Sequence, residues 1–207
     1  MRTIEKTVFK FSELSNSAKE TAANWFLQDP MFDPDYILED AETIAGFLGI
    51  TINQSTVKLM GGGTRQTPMI HYSVGDYRSY VAFSGYFHLN DINFDKLVAH
   101  APQDSTLHEI ADRMLKIKNK YTGEISGIIT TGWRGTSTAA DPELDSEDED
   151  ESLTDDDSES IIEAIADFSR WILSSLNAEF EYTQSEEYIA EMMEANNYEF
   201  DEDGRVI

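Results

Sequence analysis

The last third of the chain carries almost all of its charge, and this restricts what that third can form. Residues 141–207 hold 24 Asp/Glu against only Arg170 and Arg205, a net of −22. Residues 1–140 hold 16 Asp/Glu and 13 Lys/Arg, a net of −3, and the two parts add to the −25 of the whole. Between Asp141 and Ser160 stand 12 acids and no base. Around that run, Gly135–Ser160 has small residues, one proline and only scattered apolar positions such as Leu144 and Leu153. Its composition predicts a mobile loop. Beyond it Ile161, Ile165, Phe168, Ile172 and Leu176 recur at helical spacing, which predicts an amphipathic helix over 161–180. A field of this sign bears on solubility, repels nucleic acid and anionic lipid, and favours a basic partner.

Hydrophobic content of 40% and aromatic content of 11% suffice for a packed core, so one domain with a loose segment is expected. With no cysteine there is no disulfide, thiolate nucleophile or Cys-based zinc site. The segment Met1–Phe11 lacks the continuous apolar stretch of a signal peptide, and no run approaches a membrane span. The expected setting is the cytoplasm, that of a host cell if the protein is phage-encoded.

Thr3–Phe11 reads as a strand. A helix follows from Ser17 to about Leu27, with Ser15 as an equally good cap. Asp33-Pro34 starts a second helix whose stripe is Ile37, Ala41, Ile44, Ala45 and Leu48, and Gly49 closes it. Three antiparallel strands are expected near 50–59, 68–74 and 78–88, punctuated by Gly61-Gly62-Gly63, Pro68, Gly75 and Gly85. Asp91 and Thr106 are the expected caps of two helices, to about His100 and Tyr121. Ile125–Trp133 is a fourth main strand. Thr183 with Glu186 forms the box of a last helix bearing Tyr188, Ile189, Met192 and Met193. The class is α+β: an antiparallel sheet of about four to five strands with helices packed on it, and a disordered acidic loop before two C-terminal helices. The expected division is an α+β core over 1–134, the loop over 135–160, and helices and tail over 161–207 packing on the same core.

Several segments are familiar. They are Phe11-Ser12-Glu13-Leu14-Ser15 with Ala18-Lys19-Glu20 and Asn24-Trp25, Tyr36–Asp40 with Gly49-Ile50, and Phe83-Ser84-Gly85. Further on come Ala101–Asp104 with Leu107-His108, Phe168–Ile172, and Asn197–Gly204. Together they resemble a family of small phage and prophage proteins commonly labelled "antitoxin of toxin–antitoxin stability system". The resemblance spans the chain outside the acidic run and carries no catalytic motif. The family often has a Gln-Gly-Asp-Gly-Ala-type turn before its Phe-x-Gly strand. Here the region reads Val74–Tyr80, and Asp141–Ser160 is a feature of this member.

No motif points to catalysis. The glycine triplet with Thr64 and Arg65 lacks the Lys-Ser/Thr of a phosphate-binding loop and precedes a strand, so it reads as a hairpin loop. The histidines His71, His88, His100 and His108 form no two-histidine metal motif, and they read as surface or helix-end residues. The acidic run lacks the glycine and ligand order of a calcium loop. There is no nucleophile elbow, and carboxylates are too numerous for any pair to be singled out. The aromatic series Tyr72, Tyr77, Tyr80, Phe83, Tyr86 and Phe87 lacks the positive groove of a base-stacking platform and reads as a half-buried sheet face. Thus no enzyme, cofactor or metal is expected, nor direct nucleic-acid binding.

The carboxylates themselves are the candidate binding surface. Residues four apart on a helix rise about 6 Å, against one charge per about 3.4 Å along one DNA strand. Glu159, Glu163 and Asp167 form one such row, and Glu187, Glu191 and Glu194 another. Asp148 and Asp150, in the loop, add a long-range pull on association. The expectation is a DNA-mimic-like, anti-defence protein that inhibits a basic host protein, such as a nuclease, a restriction component or another nucleic-acid-binding protein. The alternative is an antitoxin-like protein that neutralises a cognate toxin.

Overall fold

The computed structural model describes residues 7–28, 32–75, 78–131 and 138–207. In chain order the elements are α1 (Asn16–Phe26), α2 (Asp35–Phe47), β1 (Ile50–Ile52), β2 (Gln54–Leu59), β3 (Gly63–Pro68), β4 (Ile70–Ser73), β5 (Tyr80–Phe83), β6 (Gly85–His88), α3 (Phe94–His100), α4 (Ser105–Lys118), β7 (Glu124–Thr131), β8 (Thr138–Asp145), α5 (Asp155–Thr183) and α6 (Glu186–Ala195). The class is α+β, as expected. The chain divides into two compact units. One is Pro34–Asn177; the other joins the residues up to Asp33 with Ala178–Ile207, so the boundary falls within α5.

In the larger unit, the α2 stripe Ile37, Ala41, Ile44, Ala45 and Leu48 is buried throughout. Gly49 follows at φ +71°, where a Cβ would also run into the carbonyl of His88. The expected strands 50–59 and 78–88 are each bent once, and the one expected near 68–74 is preceded by an unexpected strand, Gly63–Pro68, so there are six short strands. The bends at Asn53, Met69 and Ser84 meet. Asn53 N–H donates to Ser84 O at 2.8 Å, and Met69 N–H donates to Asn53 O at 2.7 Å. From this junction three antiparallel pairings diverge: β1 with β6, β2 with β3, and β4 with β5. The main sheet has the order β1-β6-β7-β8. Its buried residues include Ile50, Ile52, Phe87, Ile125 and Ile129. Gly127 leaves room for the Phe87 ring, which an added Cβ would strike. The α5 stripe is buried as the periodicity predicts, and Phe168 meets Phe83 edge-on at 5.8 Å between ring centres. Trp171 stacks on Phe168 and donates to Asp104 Oδ2 at 2.7 Å, while Asp104 Oδ1 caps α4 through Leu107 N–H.

The smaller unit is built on Phe11, Leu14, Ala18, Ala22, Phe26, Ile189, Met193 and Phe200. Ser15 caps α1, and Ser185 caps α6 in place of the expected Thr183 box. The C-terminal turn is part of this core. Phe200 bridges Phe9 and Val206, and Gly204 sits at φ +83° against the Ala18 carbonyl. The unit boundaries are not the expected ones at 134 and 160: α6 and the tail share one core with α1.

Local readings need correcting at several points. Phe9 makes only an isolated bridge, Phe11–Glu13 is a 3-10 turn, and Thr3–Lys6 lie outside the described residues. Asn93, not Asp91, caps α3, and Asp104 rather than Thr106 caps α4. The largest correction concerns the expected loop over 135–160. Thr138–Asp145 is an eight-residue strand in full register with β7, and α5 begins at Asp155. Gly135–Ser137 lie outside the described residues.

Composition misleads at both ends of this segment. In β8 the small or apolar Thr138, Ala140, Pro142 and Leu144 are half-buried, and Ala139, Asp141, Glu143 and Asp145 are exposed. A strand needs only that alternation and a partner, and the ladder with β7 outweighs the low strand propensity of acids. At α5 the three acids Asp155, Asp156 and Asp157 occupy the first turn, where the helix dipole favours negative charge.

Candidate acidic binding surface

The acidic segment has two kinds of carboxylate. Glu151 and Asp157 are tied inward. Glu151 accepts from the Ser146 hydroxyl at 2.6 Å, from Thr122 N–H and hydroxyl at 2.8 Å each, and from Gly123 N–H at 3.2 Å. The Ser146 hydroxyl and then the Thr122 donors lower its pKa from 4.5 to about 2. Asp157 is the only buried charged residue among the described residues. It accepts from Lys120 Nζ at 2.5 Å, Tyr121 Oη at 2.8 Å and Thr154 Oγ1 at 3.1 Å. The Lys120 bond is the chief reason its pKa is lowered and that of Lys120 is raised. The non-regular stretch 146–154 is therefore clasped at both ends to the turn between α4 and β7.

The outward carboxylates form the surface. Asp141, Glu143 and Asp145 stand on one face of β8, the edge strand of the main sheet. Alternate strand positions place them about 6.7 Å apart. Glu124 on β7 lies directly across from Asp145. Pro142, which has no N–H, and the three acids also discourage another strand from adding at this edge.

The expected site residues separate. Glu159 and Glu163 are exposed on α5 as a pair one turn apart. Asp167, expected to extend their row, is instead held by Arg113 at 2.8 Å and by Arg170, with its side chain only 24% exposed. Its charge is neutralised, so the α5 row ends at Glu163, itself 4.0 Å from Arg113. Asp148 and Asp150 are exposed, and the backbone at Asp150 is fixed by a 3.1 Å bond to Asp148 Oδ1. Glu187, Glu191 and Glu194 are exposed on α6, in the smaller unit. There Glu191, then partial burial and Glu187, raise the pKa of Tyr182 above 10.0. The β8 row was missed, although Asp141-x-Glu143-x-Asp145 is a period-two signal.

The remaining candidates take structural roles. His100 Nε2 pairs with Asp40 at 2.7 Å, and His108 Nε2 contacts Ala101 O at 2.9 Å. Among the described residues no group of three or more His, Cys, Asp and Glu could hold a metal. The glycine triplet is a hairpin tip, and Arg65 is drawn from it to Glu39 and Asp35 of α2. In the aromatic series Phe83 and Phe87 are core, Tyr86 is exposed, and Tyr77 lies outside the described residues. No helix among the described residues is long and apolar enough to cross a membrane.

Residues 34–186 match a family described as a domain of unknown function, DUF8835, and this is well over half of the chain. The chain belongs to the DUF8835 family. The match begins at Pro34, where the larger unit begins, and ends at Glu186, so the family domain contains the β8 row and the whole of α5. No curated protein and no solved structure matches the chain.

Proposed function

We propose that this protein is a non-enzymatic inhibitor that binds a basic, nucleic-acid-handling protein by occupying part of its phosphate-binding track. The observation that carries the proposal is the row Asp141, Glu143 and Asp145, presented on one face of a hydrogen-bonded strand. Its spacing of about 6.7 Å is about twice the 3.4 Å axial step of charges along one DNA strand. Carboxylates fixed by a sheet lose little freedom on binding, whereas those of a flexible tail would lose much more. Glu159 and Glu163 on α5 and the acids of α6 add to the long-range negative field. The resemblance to phage and prophage proteins makes a host defence nuclease or restriction component the natural target class.

Affinity capture from host lysate, at low and raised salt and with duplex DNA as competitor, tests this reading. A DNA-binding protein that DNA displaces and salt weakens is the expected result. Joint reversal of Asp141, Glu143 and Asp145 to Lys should abolish its capture. Undiminished capture by that variant refutes the mimic. A single small partner that survives both salt and DNA replaces it with the antitoxin-like reading.

A further inference from the structure

The outer face of the main sheet is exposed among the described residues, and it is not uniformly polar. Cross-strand register places Thr51, Tyr86, Ile128 and Asp141 in one row across β1, β6, β7 and β8. The next row holds His88, Ser126 and Glu143, and beyond it Glu124 faces Asp145. Ile128 is 63% exposed and Tyr86 47% exposed, side by side at the middle of the face. The other outward positions of β7 are Glu124, Ser126 and Thr130, so a polar residue is accommodated on either side of Ile128.

Two features of this face cost stability unless something covers it. The first is the pair of large apolar side chains left in water. The second is the Glu124–Asp145 pairing, since like charges directly opposite in a sheet are destabilising. Neither carboxylate takes part in an ion pair among the described residues. The acids all lie toward the β8 edge, and no Lys or Arg stands among the residues of these rows. An apolar centre with a one-sided acidic rim is the arrangement of a protein interface, in which buried anchors hold and rim charges select. Four strands span about 14 Å, and a helix with its side chains is about 10–12 Å across.

Resting on the reading of the protein as an acidic binder, we infer that this sheet face receives one amphipathic helix of the basic partner, its apolar stripe on Tyr86 and Ile128 and its lysines or arginines along Asp141, Glu143, Asp145 and Glu124. The acidic rim steers and orients the helix, and the apolar pair slows its departure.

The test uses the full chain and two synthetic helical peptides of equal charge. One carries a leucine stripe flanked by lysines; in its twin the leucines are serines. Fluorescence anisotropy at low salt should show the leucine peptide binding about tenfold more tightly, the factor that burial of one large aliphatic side chain supplies. Ile128→Thr keeps β-branching, and hence the strand, and it should erase that ratio without changing the affinity of the serine twin. Circular dichroism confirms that the variant is folded. Equal binding of the two peptides, or an unchanged ratio in Ile128→Thr, overturns the docking face while leaving the acidic reading in place. Absence of any salt-sensitive binding to either peptide removes both.

Discussion

Asp157→Ala should show how far the acidic segment is built into the fold. The carboxylate is buried and accepts three hydrogen bonds, from Lys120, Tyr121 and Thr154. Lys120 is 57% exposed and regains water when the pair is lost, so its share stays small, as for a surface pair. The two hydroxyl bonds to a charged acceptor are worth about 1.5 kcal/mol each. The expected loss is about 3–4 kcal/mol at neutral pH. With an m-value on the order of 2 kcal/mol/M, the urea midpoint falls by roughly 1.5–2 M, followed by circular dichroism. Asp156→Ala, one residue away and exposed, is the control, and it should stay within about 0.5 kcal/mol of wild type.

The same clasp predicts a pH window. The Asp157 pKa is lowered in the fold, so its stabilisation is present above the unfolded carboxyl value of about 3.9 and is lost as pH falls through the folded value. The Lys120 pKa is raised, so its share is present below 10.5 and is lost as pH rises through the folded value. The gap between wild type and Asp157→Ala should therefore be widest in the neutral range and close on both sides. A neutral-pH midpoint for Asp157→Ala equal to that of the Asp156→Ala control would refute the clasp and return 146–157 to the loose loop that composition predicts.

Two further predictions follow from the titrating groups. Glu151→Gln should flatten the acid limb of the stability profile, because the wild-type carboxylate stabilises the fold above pH 4.5 and loses that contribution as pH falls towards its folded pKa of about 2; the check is the urea midpoint across that range. The Tyr182 phenol should ionise above 10.0, and Glu191→Gln should bring it down, since Glu191 is the largest cause of the shift; ultraviolet absorbance of tyrosinate reads both.

Local period in the chain specifies one set of elements. The stripes of α2 and α5 and the α+β class with an antiparallel sheet follow from where apolar residues recur, because burial requires that recurrence whatever the neighbours. The concentration of acid in the last third is likewise visible without a structure. Tertiary structure alone decided which acids are available. Asp167 reads as one member of a helical row until Arg113, 54 residues earlier in the chain, closes on it. Glu151 and Asp157 read as loop solubilisers until the Thr122–Gly123 turn and Lys120 supply their donors. Asp141, Glu143 and Asp145 read as disorder until β7 pairs with them. Local composition weighs a carboxylate only by its cost of burial or its charge. Its role is set by the donors and strands that long-range contacts bring to it, and those contacts leave no mark in the residues beside it.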